Sequence, residues 1–516
     1  MPGAGTMGGV MNVNLADMLR DHALQRPHAP CLSFVDETLS YEQLHQRSSQ
    51  LANALLQRGL VVGDRVAIVA RNAPVFYELA FACAKAGLIM VPINWRLSAR
   101  ELDDILVDAT PGAVFADAEF ADKLPGTVST MMLDESYAAW RNAASDSDPH
   151  TPTTSDDTVL LLYTSGTTGR AKGAMISHRN MTFTSRMAHE VWGFGSDSVN
   201  LVAGPLFHIG GIGYGMMALT QGGHTVLLQQ PSPRPALDAI VRHRITHAFL
   251  VPAVIQSLVE ADGVDDMDLT SLQLIAYGAS PISGTLLLRA MKVFGCGFSH
   301  AYGLTETSGT VITLPPEAHD PYGDGAARLR SCGRPVPWVE IDLFDPQTDL
   351  PVNEGDVGEI RVRSGMTMTG YWNNPEETRA TFAAGGWLRT GDAAWRDAAG
   401  YYYIHDRFKD MIVSGGENIY PTEVENVLYE HPDVAATAVI GVPHERWGET
   451  PKAVVVRRSG SAVSEQELIE FLRQRLAHYK CPTSVEFVED MPRSASGKIL
   501  KRELRLMEWP ARKEAH

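Results

Sequence analysis

The feature that most constrains this chain is an alternation of short apolar runs with amphipathic stretches that stop at glycine. Tyr41 to Arg58 predicts an amphipathic helix ended by Gly59, Arg65 to Val69 a buried strand, and Phe76 to Ala86 a second helix ended by Gly87. The alternation fills residues 15–114 and recurs from Val199 to Leu304. Strands that read as continuous apolar runs are buried on both faces, and repeated strand–helix units cover mainly parallel sheets with helices. Between the two halves, Asn142 to Asp157 is rich in Asp, Ser, Thr and Pro and reads as a surface connection.

After Gly333 the pattern changes to short strands with turn signals, at Val339–Leu343, Gly358–Arg363 and Gly400–Ile404. A last unit starts near Asp410, with a helix from Thr422, strands at Ala438–Ile440 and Ala453–Val456, and a helix opening at Ser464. Glu467 lies three residues after Ser464, a capping box, and Leu468, Phe471, Leu472 and Leu476 share one apolar face. At 516 residues the chain exceeds a single core. The predicted fold is α/β. A large N-terminal domain of layered α/β subdomains, with a small β-barrel-like subdomain, covers residues 15–408. A small, mobile α+β C-terminal domain covers 409–516. Residues 1–14, Gly- and Met-rich, read as disordered and carry no secretory signal pattern.

Composition narrows the function classes. Sixty-one acidic against 44 basic residues leave a net charge of −17, a field that repels a nucleic-acid backbone but spares local sites for small anions. The five cysteines are scattered without metal-ligand spacing, which fits a reducing cytoplasm. No apolar run reaches the roughly 18–20 residues of a membrane-spanning helix.

Five stretches carry chemistry. Tyr163–Gly173, after the apolar run Val159–Leu162, packs three glycines, four hydroxyls and two cations into eleven positions. Glycines let backbone amides close on a phosphate, and hydroxyls and Lys172 add donors. The spacing is not that of the conventional nucleotide-binding P-loop. Ala301–Glu306 offers Glu306 and Thr305 to a magnesium ion and Tyr302 as a stacking face. Trp387–Asp392 and Asp406–Asp410 flank a Tyr-rich hairpin, where Asp392, reinforced by Arg407, suits a ribose. Ser414–Pro421 has glycines where backbone passes a thin ligand, and Pro492–Lys498 sets one lysine on a Ser/Gly loop. Each stretch alone also reads as an ordinary turn, charged hairpin or solvated lysine.

In order and approximate spacing, the five together resemble the signature motifs of the adenylate-forming superfamily, which holds acyl-CoA synthetases, adenylation domains of nonribosomal peptide synthetases and luciferases. The resemblance runs from about Leu15 to Leu506. It implies a ligase that uses ATP, magnesium and coenzyme A. Thr164, Ser165, Gly166, Thr167, Thr168, Gly169 and Lys172 would embrace the ATP phosphates. Thr305 would meet the α-phosphate, and Glu306 the metal. Gly278, Ala279, Ser280, Tyr302 and Gly303 would hold adenine, and Asp392 and Arg407 ribose. Lys498 would reach both the α-phosphate and the substrate carboxylate, and His208 would lie near that carboxylate. In similar enzymes the C-terminal domain then rotates about a hinge, here Lys409. That rotation would bring Ser414, Gly415, Gly416 and Glu417 to the pantetheine tunnel, with Arg96, Trp447, Tyr479 and Lys480 as contacts for the nucleotide end of coenzyme A. The chain departs from many members at Ala171, where they have Pro, and at Asp406, where they have Gly.

In similar enzymes the acyl pocket follows the strand near Leu201, here Pro205–Met217, with Phe207, Ile209, Gly210, Gly211 and Tyr214 as candidate walls. No acidic residue occurs from Gly204 to Gly223, so an amino-acid substrate would leave its ammonium buried and unpaired. That points to a plain hydrophobic carboxylic acid, first a medium- or long-chain fatty acid, with aryl or alicyclic acids also open. Gly210, Gly211, Gly213 and Gly215 read equally as a channel for an alkyl chain or as close helix packing. The expected acceptor is coenzyme A, alternatively a carrier protein. A homodimer is left open, and a catalytically silent scaffold is disfavoured because Lys498 and Glu306 are both present.

Overall fold

A computed structural model describes residues 14–164, 171–280, 282–407, 410–414, 417–444, 447–494 and 499–508. The alternation forms two sheets. The first has six strands in the order Thr130–Met132, Ala113–Ala116, Arg65–Val69, Ile89–Pro92, Thr158–Thr164, Lys172–Ser177. Its pairs are parallel except the last, where Thr158–Thr164 and Lys172–Ser177 run antiparallel. The second has nine, with Gly297–Leu304, Leu274–Gly278, His247–Leu250, Val199–Val202 and His224–Leu227 as its parallel centre. Antiparallel strands close both edges of this sheet.

The helices begin and end where the local chemistry dictates. Ser40 caps Tyr41–Gln57 in a capping box with Gln43, and Gly59 follows at φ 91°. Val75–Ala86 ends at Gly87, whose φ of 69° is cheap only for glycine. This helix is buried along its length, as its largely apolar composition requires, and it takes Glu78 and Lys85 into the interior with it. Of the stretch expected to be disordered, residues 1–13 lie outside the described residues. Asn14 is instead the cap of Leu15–Gln25, in a capping box with Asp17, and its amide donates to the Ala84 carbonyl at 2.8 Å.

The connection from Asn142 to Asp157 is not merely a surface link. Asp148 takes two hydrogen bonds from Arg20, at 2.9 Å each, and lies 3.6 Å from Lys85, which is fully buried. The Lys85 ammonium also donates to the His45 carbonyl and to Ser48 and Ser49 at 2.8–2.9 Å. A polar stretch is held inward here because a buried cation needs a carboxylate.

The strands after Gly333 make a five-stranded antiparallel sheet, in which Trp387–Arg396 pairs with Gly358–Arg363, Phe382–Ala383 and Tyr402–Arg407. From Ile412 on, the chain builds another five-stranded sheet with its own cores. The Ser464–Glu467 capping box opens the helix Glu465–Arg473, and Leu468 and Leu472 are buried beneath it. The strands Val434–His444 and Gly448–Arg457 are longer than their apolar centres predict, because they pair with each other along their length.

Candidate active site

Thr164 and Lys172 are opposite each other on the last rung of the hairpin that carries the glycine-rich loop. Ser165, Gly166, Thr167, Thr168 and Gly169 lie outside the described residues. The Thr164 hydroxyl donates to Glu306 Oε1 at 3.4 Å, so the loop's stem and the acidic end of Ala301–Glu306 meet. The Lys172 ammonium forms an ion pair with Glu377 and lies 5.5 Å from the centre of the Tyr371 ring. The Tyr371 hydroxyl donates to the same Glu306 oxygen at 2.8 Å. Burial, then the Glu306 charge, push the Tyr371 phenol well up, so it stays a donor at neutral pH.

Next to this cluster is a second one. Gly278 and Ala301 are ladder partners, and a Cβ on Gly278 would sit 2.1 Å from the Ala301 carbonyl oxygen. Glycine is therefore required for the strands to converge here. Ala279 follows at φ 65°, a strained turn for a residue with a side chain. It leads into Ser280. Tyr302 is buried, and its hydroxyl donates to Asp392 Oδ2 at 2.7 Å. Burial and the Asp392 charge push the Tyr302 phenol upward. Asp392 is the ladder partner of Arg407. Gly303 pairs with Thr310, and Thr305 and Glu306 form the half-buried turn beyond it.

The third part is the entrance to the helix Ile209–Thr220. His208 is its N-cap residue but makes no side-chain cap bond, and its Nε2 is buried with no partner among the described residues. Burial, with the charge of Arg96, pushes its pKa down to about 4, so the ring is neutral at physiological pH. The loop before it is held by buried Asn72, which donates to the Gly204 carbonyl at 2.9 Å and accepts from Leu206 N–H at 2.9 Å. Phe207 is buried beside His208, ring centroids 4.7 Å apart. Tyr214 sits among Trp192, Phe194 and Phe249 at centroid distances of 5.5–6.1 Å.

The glycine row of this helix resolves toward packing. A Cβ on Gly211 would lie 2.0 Å from the Pro205 carbonyl oxygen, and one on Gly215 would lie 1.9 Å from the Tyr77 hydroxyl. Gly213 faces Ile209 of its own helix at 3.0 Å. Gly210 alone faces the half-buried ring of Phe249, at 3.3 Å. Gly211 and Gly215 are therefore taken up by packing, and Gly210 is the one of the four that faces the Phe249 ring.

The remaining candidates fall on two parts of the chain. Arg96 is exposed, its guanidinium 4.2 Å from the Trp95 ring centre and 5.7 Å from that of Phe207, and no carboxylate among the described residues pairs with it. Trp447 and Tyr479 are exposed, but Lys480 is bound by both oxygens of Glu423 at 2.7 and 2.8 Å. Ser414 and Glu417 are opposed in a hairpin. Lys409, Gly415, Gly416 and Lys498 lie outside the described residues.

Sequence reasoning missed Tyr371, Glu377 and Asn72. Asn374-Pro375 with Glu377 in the first turn is a legible helix start, and the helix Pro375–Thr381 is there. Nothing local, however, tells that Glu377 reaches Lys172. Among the described residues no group of three or more His, Cys, Asp and Glu can hold a metal ion, and no helix is long and apolar enough to cross a membrane. A single carboxylate with hydroxyl neighbours still fits magnesium, which usually arrives on a nucleotide and takes phosphates and waters as its other ligands.

The profile of the AMP-binding enzyme family matches residues 19–372, and that of the AMP-binding enzyme C-terminal domain matches residues 423–498. A fatty acid–[acyl-carrier-protein] ligase, ScoC of Streptomyces coeruleorubidus, is 40% identical over 95% of both chains. A feruloyl-CoA synthase of an Amycolatopsis species is 40% identical over 94% of this chain and 96% of its own. Among solved structures, ATP-bound MatB from Rhodopseudomonas palustris superposes with a TM-score of 0.89 at 32% identity, covering 98% of this chain and 100% of that one. The chain therefore belongs to the AMP-binding enzyme family, among its AMP-forming ligases that join an acid to coenzyme A or an acyl carrier.

Proposed function

We propose that this chain uses ATP and magnesium to convert a hydrophobic carboxylic acid into an acyl-adenylate with release of pyrophosphate, and then transfers the acyl group to coenzyme A. The observation that carries the reading is the contact of Thr164, the ladder partner of Lys172, with Glu306, next to the Tyr302–Asp392 pair. Donors for phosphate, a carboxylate for the metal and a carboxylate for ribose hydroxyls stand side by side. In this reading Ser165–Gly169 wrap the phosphates, Thr305 touches the α-phosphate, and Gly278–Ser280 with Tyr302 enclose adenine. Asp392 with Arg407 takes the ribose. Glu306 would hold magnesium, which when bound would neutralise phosphate charge. Lys498 joins the carboxylate and the α-phosphate, where charge grows in the transition state. Neutral His208 orients the carboxylate by a hydrogen bond.

The boundary near Lys409 serves as the hinge between the acid-activating part, 15–408, and the part that brings Ser414–Glu417 to the thiol. Arg96 is the best-placed contact for a coenzyme A phosphate, because it is exposed and no carboxylate among the described residues opposes it. Lys480 is a weaker one, because it must first leave Glu423.

A medium- or long-chain fatty acid is the first substrate class, supported by an acyl segment without acidic residues. An aryl acid is the second, favoured by one observation: Gly211 and Gly215 are used up by packing, and Tyr214 lies in a wall of Trp192, Phe194 and Phe249, which suits a ring. Release of AMP and pyrophosphate across alkyl, aryl and amino acids, with and without coenzyme A, tests the reading. Amino acids should be inert. Pyrophosphate release that coenzyme A does not accelerate would move the acceptor to a carrier protein. Lys498→Ala should bind ATP but form adenylate about two to three orders of magnitude more slowly; equal activity would overturn the mechanism.

A further inference from the structure

The phosphate-loop lysine is already engaged by another part of its own chain. Glu377, 205 positions later, takes the Lys172 ammonium, and Tyr371 in the same segment takes Glu306. One segment thus grips both the cation and the carboxylate that the proposed function assigns to the triphosphate and its metal.

The grip is built into the backbone. Residues 369–372 run antiparallel to the strand Lys172–Ser177: Met175 N–H donates to Gly370 at 3.0 Å, Thr369 N–H to Met175 at 3.1 Å, and Trp372 N–H to Gly173 at 2.8 Å. Trp372 Nε1 and Asn373 Nδ2 both donate to the Asp108 carbonyl, at 3.2 and 3.0 Å. Asn374 then accepts from Glu377 N–H at 3.1 Å, and the Thr378 hydroxyl accepts from Tyr371 N–H at 2.9 Å. Tyr371 and Glu377 are therefore held in place from several directions, while the Lys172 side chain is long and rotatable.

We propose that Glu377 is a positioning residue that competes with nucleotide phosphate for Lys172 and thereby eases the departure of pyrophosphate. The proposal rests on the reading that Lys172 contacts the ATP phosphates. One ammonium cannot serve two anions fully, and a carboxylate left beside a bound phosphate repels it. The free energy of the Lys172–Glu377 pair is thus subtracted from the affinity for ATP and again from that for pyrophosphate. Lys172 is only 9% exposed and Glu377 32%, so the pair is screened less than a surface pair. After adenylate formation, return of Lys172 to Glu377 strips the leaving pyrophosphate of a cation, and the site is ready for the thiol step. No atom is transferred and no bond other than hydrogen bonds changes.

The test is equilibrium binding of magnesium–ATP to the full chain with no acid present, together with product inhibition by pyrophosphate. Glu377→Gln should tighten both ATP and pyrophosphate about fivefold, the upper range for a solvent-reachable ion pair. Glu377→Asp, which keeps the charge, should stay near the parent. Lys172→Ala should weaken ATP, and adding Glu377→Gln to it should change nothing further. If Lys172→Ala weakens ATP but Glu377→Gln leaves both ligands unchanged or looser, the competition is wrong and the nucleotide reading stands. If Lys172→Ala has no effect on ATP, the assignment of Lys172 fails and the proposal falls with it.

Discussion

Replacing Gly215 by alanine asks what the glycine row of the helix Ile209–Thr220 is for. A methyl group there falls 1.9 Å from the Tyr77 hydroxyl and 3.0 Å from the ring carbon that bears it, where ordinary contact begins at 3.4 Å. The hydroxyl must retreat by roughly 1.5 Å, and Tyr77 is fully buried in the helix Val75–Ala86. Overpacking of this kind costs about 1–3 kcal/mol. Alanine over glycine inside a helix returns about 1 kcal/mol. The overlap of roughly 1.5 Å belongs at the upper end of the overpacking range, so a net loss of about 2 kcal/mol is expected.

The Tyr77 hydroxyl has no hydrogen-bond partner among the described residues. Tyr77→Phe alone should therefore be neutral or stabilising by up to about 1 kcal/mol. Combined with Gly215→Ala, it leaves the ring carbon at 3.0 Å as the nearest obstacle and should recover at least half of the loss. Urea titration followed by tryptophan fluorescence reads this out, because the Trp192 ring lies 5.9 Å from that of Tyr214 on the same helix. Acid preference should not move. A Gly215→Ala variant as stable as the parent, with preference shifted to shorter chains, would refute the packing argument and restore a channel along the glycines.

Three further outcomes are expected. Glu306→Gln should raise the magnesium concentration needed for half-maximal AMP formation and slow the reaction about 10- to 100-fold, and an unchanged magnesium dependence would remove Glu306 as the metal contact. Tyr302→Phe deletes a donor to a buried carboxylate, a bond of about 1.5–3 kcal/mol, and should weaken ATP binding about tenfold by loosening Asp392; unaltered binding would separate the two residues. Burial raises the Asp148 pKa, but hydrogen bonds from Arg20 and the charge of Lys85 outweigh it and hold the carboxyl well below its usual range. Its contribution is therefore complete above the unfolded value of about 4 and fades as pH falls through the lower folded value. Asp148→Asn should cost about 2–4 kcal/mol at pH 7, with the gap to the parent closing in acid; a gap independent of pH would mean that packing, not charge, sets the cost.

Much of the outline was legible in the residues themselves. Glycines at 59 and 87, the Ser464–Glu467 box and the apolar runs at Arg65–Val69 and Val159–Leu162 act over a few positions, so their consequences are fixed locally. The motif residues Thr164, Lys172, Tyr302, Glu306 and Asp392 were singled out in the same way. Type and order alone mark them as suited to phosphate, metal and ribose.

What only the tertiary structure decided is which of these groups already hold one another. Tyr302 and Asp392 meet across 90 positions, and Lys172 and Glu377 across 205. Tyr77 and Pro205 reach Gly215 and Gly211, glycines that the sequence leaves equally fit for a channel or for packing. The polar connection at Asp148 turns inward because Lys85, buried on a largely apolar helix, has to find a carboxylate. Caps and periodicities are short-range and survive in the sequence. Pairing of charges and filling of volume depend on which distant elements come together, and that is set only when the layers close on each other.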